Sequence, residues 1–300
     1  MTAVALAPSG VRVWLLAARP ATLPAAIVPV LVGTAAALHG GAELHERTLI
    51  AALVAALLIQ IGTNFANDVF DFRRGADTPD RLGPMRVTQG GLVTQRQVLL
   101  ATCVTFGLAL LVGLYLVSIG GWPILLLGVL CLLAGIGYTG GPWPFGYHGL
   151  GDLVCFLFFG VVAVLGSAYL QNPTLTRLDA WASIPVGCLV TAILIVNNLR
   201  DIDTDRRVGK MTLAVRLGRS GTRVEYAVVV AVAYGVVVGI GLAGMGGAWW
   251  WLPLLSLPLA VWLVRFVAQR EGRSLNQALK RTGQLHLLFG LLFAAALWLG

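Results

Sequence analysis

The sequence predicts an all-α integral membrane protein. Three observations carry that reading. Of the 300 residues, 58% are hydrophobic and only 11% charged, whereas a soluble domain is about a quarter charged. The mean hydropathy of +0.84 is an average over the whole length, so the apolar material exceeds what one buried core requires. The apolar residues also fall in long runs, close to the roughly 20 residues a helix needs to cross a bilayer. Disorder, collagen-like repeats and a disulfide scaffold are excluded by the same composition.

In chain order, a short interfacial stretch comes first: Val11-Arg12-Val13-Trp14-Leu15-Leu16. The first residues carry no positive charge of the kind that opens a leader, so the first span is expected to be retained. Nine spans follow, at 21–38, 48–67, 98–118, 121–139, 153–170, 181–199, 224–243, 247–268 and 283–299. Pro24, Pro29, Pro123, Pro185, Pro253 and Pro258 fall inside them, which neighbouring helices in a bundle tolerate. Cys103, Cys131, Cys155 and Cys188 sit in apolar runs without CxxC spacing or nearby His, and read as packing residues. The whole chain, 1–300, reads as one domain with cap loops at about 68–97, 140–152 and 200–223.

Charge sets the sidedness. With the N-terminus inside, 19 of the 21 Lys and Arg fall on the inner side, and only Arg47 and Arg177 outside. That is a decisive positive-inside bias. It places the N-terminus in the cytoplasm and the C-terminus outside. It also accounts for the net charge of +8 without nucleic acid as a partner.

The acids are the most informative residues. Seven of the 13 fall in two clusters, counting Asp80 just past the first. The first runs Asn64-Phe-Ala-Asn67-Asp68-Val-Phe-Asp71-Phe-Arg73-Arg74-Gly75-Ala-Asp77, and the second Asn197-Asn198-Leu-Arg200-Asp201-Ile-Asp203-Thr-Asp205-Arg-Arg-Val-Gly209-Lys210. Helical spacing puts Asn64, Asp68 and Asp71 on one face, and Asn197, Asp201 and Asp205 on another. Four spans separate the clusters, so both end on the cytoplasmic side and can meet. Carboxylates crowded at a membrane boundary need a cation to neutralise them. Oxygen donors without His or Cys suit Mg²⁺, which takes one or two carboxylates together with phosphate oxygens, and do not suit zinc. Arg73, Arg74, Arg200 and Lys210 suit an anion bridging the metals, and a diphosphate held between two carboxylate platforms satisfies all of this.

These residues resemble the UbiA-type intramembrane aromatic prenyltransferases, and among them the branch acting on 1,4-dihydroxy-2-naphthoate. The segments that carry the likeness are Arg19-Pro-Ala-Thr-Leu-Pro24, Asn64 to Asp77, Asp80-Arg81-Leu-Gly83-Pro84-Met-Arg86, Tyr147-His-Gly-Leu-Gly151-Asp152, and Asn197 to Gly218. The last 60 residues carry only hydropathy. The resemblance implies a nine-helix bundle of UbiA type in the cell membrane. It implies transfer of a polyprenyl group from polyprenyl diphosphate to dihydroxynaphthoate with loss of the ring carboxylate, as in menaquinone biosynthesis. Asp68, Asp71, Asp201 and Asp205 are then expected to bridge two Mg²⁺ ions to the diphosphate. Asp77 is a further candidate, although it lies six residues beyond Asp71, where much of the superfamily spaces the final acid by four. Asn64, Asn67, Arg74, Asn197 and Lys210 are expected at the diphosphate. Arg81, Arg86 and Gln89 of the loop, with Tyr138, are expected near the acceptor. Phe65, Tyr138, Phe156 and Phe159 are candidates to shield the allylic cation. Arg19 fits a membrane anchor or an anion contact equally, and His148 is given no function. Two rivals stand beside this reading: a sister enzyme with another acceptor, such as 4-hydroxybenzoate or homogentisate, and a cation-coupled transporter.

Overall fold

The computed structural model describes residues 10–78 and 81–300, and every regular element among them is helical. Ten α-helices follow one another: α1 Val11–Ala18, α2 Pro24–His39, α3 Glu46–Arg73, α4 Gln95–Gly137, α5 Gly151–Cys155, α6 Ala163–Gln171, α7 Arg177–Arg207, α8 Leu213–Leu242, α9 Leu257–Gln269 and α10 Leu275–Leu299. Seven helices, one of them the α5–α6 unit, are long and apolar enough to cross a membrane. An eighth results if the segment containing α1 and α2, bent by 49° between Val11–Thr22 and Pro24–His39, counts as one span.

The element limits differ from the hydropathy runs for local reasons. Two predicted spans merge in α4, whose 43 residues are about 65 Å of helix, twice the ~30 Å hydrocarbon core. Its backbone breaks at Gly121, where φ is 68° and a side chain would be strained. The run from 247 does not start a helix. Trp250 folds back, buried, and its indole donates to the Val237 carbonyl at 2.7 Å, so residues 247–251 form an aromatic turn and the span begins at Leu252. Thr94 and Thr176 start α4 and α7 with capping boxes closed by Gln97 and Asp179.

The core is centred on α7, which packs against α2, α8 and α10. Between α5 and α6 the helix widens to a π turn, Phe156–Val162, a distortion common at functional sites. Two glycines bring backbones together there. A β-carbon on Gly160 would stand 2.4 Å from the Gly187 Cα on α7, and one on Gly33 would stand 2.2 Å from the Val164 carbonyl oxygen. Only small residues allow helices that close.

Candidate active site

Both acidic clusters lie where the sequence pattern put them, on the C-terminal turns of long helices. The first closes α3 and the second closes α7. A helix C-terminus carries partial negative charge, so carboxylates there are doubly in need of a cation. The two ends meet. Tyr147 donates its hydroxyl to Asp71 Oδ1 at 2.8 Å, while its backbone carbonyl accepts from Met211 N, just past the second cluster, at 3.1 Å. Arg74 and Lys210 stand on the Tyr147 ring, 5.4 and 5.2 Å from its centroid. Burial, with the Asp71 charge, pushes the Tyr147 phenol well above its ordinary pKa, so it stays a donor.

The loop after α3 folds over this end. Asp68 is 1% exposed and accepts backbone N–H groups from Val87 at 3.2 Å and Thr88 at 3.0 Å. Charged hydrogen bonds of this kind contribute about 1.5–3 kcal/mol each. The loop delivers Arg86, whose Nη2 donates to Asp71 Oδ2 at 3.1 Å and whose Nε lies 3.4 Å from Asp77 Oδ1. Asp77 also pairs with Arg81. Burial raises the Asp77 pKa to about 7 against the pull of Arg81. On the α7 side, Arg200 grips both oxygens of Asp201, at 2.8 and 2.5 Å, and donates to Asn197 and Asn276 as well. Asn276 in turn donates to the Leu82 carbonyl, tying α10 to the loop. Lys210 Nζ stands 4.0 Å from Asp205. Burial works against the Lys210 charge, yet Asp71, Asp205 and Asp201 together hold its pKa above the ordinary lysine value.

Beneath the cap runs a cavity of about 1010 Å³, at the upper end of the range for small-molecule sites. Its polar end is formed by Asn64, Asn67, Asp71, Arg81, Arg86, Asn197 and Lys210, and its apolar walls include Ala56, Ile59, Phe145, Phe158, Phe159 and Leu194. Tyr138 and Arg19 also line it. Arg19 is the one non-glycine residue with positive φ among the described residues, at 52°, and its Nη2 is buried without a hydrogen-bond partner. Arg86 Nη1 is likewise buried and unpartnered.

Other expected residues are not part of the lining. Asp68, Asp77, Asp201 and Asp205 do not line the cavity. Arg74 is spent on the Thr139 and Gly141 carbonyls, so it braces the end of α4 instead of facing the chamber. Arg73 donates to Gln95, and Arg200 is taken up by its partners. Gln89 is half-buried outside the lining. Phe65 packs edge-on against Trp14, and Phe156 sits on Gly187 of α7. Asp80 lies outside the described residues. Sequence reasoning missed Tyr147, Asn276 and Lys280. Tyr147 stood inside a quoted segment without a role, whereas Asn276 and Lys280 belong to a helix that shows only hydropathy.

Fold and site together define a helical membrane protein with a chamber for an amphipathic molecule, apolar wall for a tail and polar end for an anionic head. The chain belongs to the UbiA prenyltransferase family, whose profile matches residues 26–292. It is 40% identical to the 1,4-dihydroxy-2-naphthoate octaprenyltransferase of Escherichia coli, over 97% of this chain and 96% of that one. With the enzyme of the same name from Mycobacterium tuberculosis it shares 41%, over 96% and 97%. Among solved structures, a UbiA homolog from Aeropyrum pernix superposes with a TM-score of 0.71 at 16% identity, covering 89% of this chain and 96% of that chain. A UbiA homolog from Archaeoglobus fulgidus bound to GPP and Mg²⁺ gives 0.66 at 16% identity, over 96% and 100%.

Proposed function

We propose that the protein transfers a polyprenyl group from polyprenyl diphosphate to 1,4-dihydroxy-2-naphthoate, with decarboxylation and dependence on Mg²⁺, giving demethylmenaquinone. The observation that carries the reading is the meeting of both acidic helix ends at one mouth of an apolar chamber. The near full-length likeness to naphthoate octaprenyltransferases supports this acceptor over 4-hydroxybenzoate or homogentisate.

The donor set fits Mg²⁺ in one particular way. It is made of carboxylate and amide oxygens, and among the described residues no three His, Cys, Asp or Glu stand ready to hold a metal by themselves. Mg²⁺ bound jointly by one or two carboxylates and by substrate phosphate oxygens needs no such cage. Asp68, Asp71, Asp201 and Asp205 would hold two ions, with Asn64, Asn67 and Asn197 in support. When bound, the metal supplies the positive charge that stabilises diphosphate as the allylic C–O bond breaks. Lys210 adds a fixed charge at the same end. Tyr138, Phe145, Phe158 and Phe159 shield the allylic cation from water and offer it aromatic faces. Arg86 and Arg19, each with an unpartnered buried N–H at the chamber, are the donors open to the acceptor carboxylate or the diphosphate. Asp77, locked to Arg81 and Arg86, holds the cap rather than metal.

The test is purified protein in lipid, supplied with Mg²⁺, polyprenyl diphosphate and a panel of aromatic acceptors, with products read by mass spectrometry. Prenylation of dihydroxynaphthoate is expected. Product from hydroxybenzoate alone would shift the reading to a sister enzyme, and no product from folded, donor-binding protein would favour transport.

For the membrane arrangement we propose nine spans, with α4 crossing twice by folding at Gly121, in the plasma membrane with the capped end in the cytoplasm. The positive-inside count supports it. In a background without native cysteines, a cysteine at position 45 or 175 should label with an impermeant reagent on intact cells, and one at 85 or 211 should not. Met85 and Met211 are exposed at the capped end, so labelling of either from outside would reverse the topology.

A further inference from the structure

One acid beside the chamber belongs to neither cluster. Asp152, at the start of α5, is 5% exposed, and its Oδ1 is buried without a hydrogen-bond partner. A buried carboxylate oxygen left unpaired is costly to maintain. Residues on both sides of it in sequence line the chamber, Phe145 before it and Val154 and Cys155 after it. So does Tyr138, whose ring threads along the same segment. A β-carbon on Gly146 would stand 3.2 Å from Tyr138 Cζ, and one on Gly151 would stand 3.4 Å from its hydroxyl. The phenol therefore reaches the first turn of α5, beside Asp152. Of the charges around that phenol Asp152 acts most strongly, ahead of Asp71 and Asp205. Tyr138 thus lines the chamber while its hydroxyl lies at the start of α5, next to an acid outside both clusters.

We propose that Asp152 is a positioning residue for the acceptor half of the reaction, acting through Tyr138 to take and return the proton of the acceptor hydroxyl. The inference rests on the function proposed above, because it requires a hydroxyl next to the ring carbon that bears the carboxylate. A ring π pair forms the bond from that carbon to the allylic carbon, while the donor C–O pair leaves with diphosphate. The neighbouring O–H pair becomes the second bond of a ketone. Its proton passes to the Tyr138 oxygen as the Tyr138 proton passes to Asp152. The adduct is a β-keto carboxylate. Its C–CO₂⁻ bond breaks, the pair rebuilds the aromatic ring as an enolate, and the proton returns by the same route to give the hydroquinone. Atoms and electrons balance without an oxidant. Without a proton acceptor the ketone does not form, and the carboxylate has no electron sink.

The experiment uses the full chain in lipid with Asp152→Asn, Asp152→Glu and Tyr138→Phe, measuring acceptor-dependent turnover and, separately, Mg²⁺-dependent binding of polyprenyl diphosphate. Asp152→Asn and Tyr138→Phe should lower kcat by about 100-fold or more, the scale of a lost proton-transfer partner. Donor binding should be unchanged in Asp152→Asn, and Asp152→Glu should recover part of the loss. The Asp152→Asn deficit should also shrink as pH rises toward ionisation of the acceptor phenol, which then needs no base. Tyr138, Cys155 and Glu225 are the titratable groups that feel the Asp152 charge, and none is altered in that variant. Turnover retained in Asp152→Asn overturns the proposal. So does a deficit constant across pH, or one accompanied by loss of donor binding, since either marks a structural role. Wild-type protein that binds the donor yet prenylates no dihydroxynaphthoate would remove the proposed function itself, before any variant is compared.

Discussion

Asp71→Asn is expected to leave the protein folded and to lower prenyl transfer at least ~100-fold, which corresponds to about 2.7 kcal/mol of transition-state stabilisation. Asp71 lines the chamber and accepts from both Tyr147 and Arg86. The amide keeps the shape but removes the charge that draws cations to the diphosphate end. Asp201→Asn and Asp205→Asn are expected to fall as far, because their helix end faces the same head group. Asp68→Asn should match them in activity. It also replaces one of the two acceptors for Val87 and Thr88 by a donor, so it should loosen the cap, read as faster proteolysis within 81–94. Asp203→Asn is the control. That side chain is exposed and paired with Arg219 at 2.7 Å, on the far side of α7 from the Asn197–Asp201–Asp205 stripe. Near-normal turnover in two of the four cluster variants, or a large loss in Asp203→Asn, would sink the two-platform arrangement.

Periodicity revealed the parts of this site that lie on one helix. Asn64, Asp68 and Asp71 repeat at helical spacing at the end of an apolar run, and α3 carries them on its last turns. The even number of crossings read between the clusters allowed them to meet on one side, and in the structure Tyr147 joins the two helix ends. Periodicity could not say which carboxylates face the chamber. That depends on a loop without regular structure, whose amides claim Asp68 and whose arginines claim Asp77. Nor could it assign the cations. Arg200 and Lys210 look alike in sequence, yet Arg200 is consumed by Asp201, Asn197 and Asn276, while Lys210 reaches the cavity. Asn276 had no signal at all. A single amide on an apolar helix acquires a role only when folding brings Leu82 and Arg200 to it across 194 and 76 residues of chain respectively. The limits of the spans failed for the same reason wherever a side chain, such as Trp250, turned back on the backbone.

Chelation of divalent metal should abolish turnover, and restored Mg²⁺ should return it. The arginines at the capped end cannot substitute for the metal. Arg200 already holds Asp201, Arg81 holds Asp77, and Arg86 spans Asp71 and Asp77. Without metal the head of the donor would meet an array of carboxylates with only Lys210 and the open N–H groups of Arg19 and Arg86 to offset them, and repulsion would prevail. With metal, each turnover on dihydroxynaphthoate should release diphosphate and CO₂ in equal amounts, because the new bond forms at the carbon that carries the carboxylate. Equal release is the discriminating quantity. A sister enzyme acting on hydroxybenzoate keeps the acceptor carboxylate and would give diphosphate without CO₂, and simple hydrolysis of the donor would give diphosphate without any prenylated ring. Diphosphate in excess of CO₂ would therefore mean water entering the chamber past Phe158 and Phe159, or attack at another ring carbon, and product mass separates the two. CO₂ release that persisted under chelation would remove the metal from the reaction and leave the acidic helix ends without a chemical purpose.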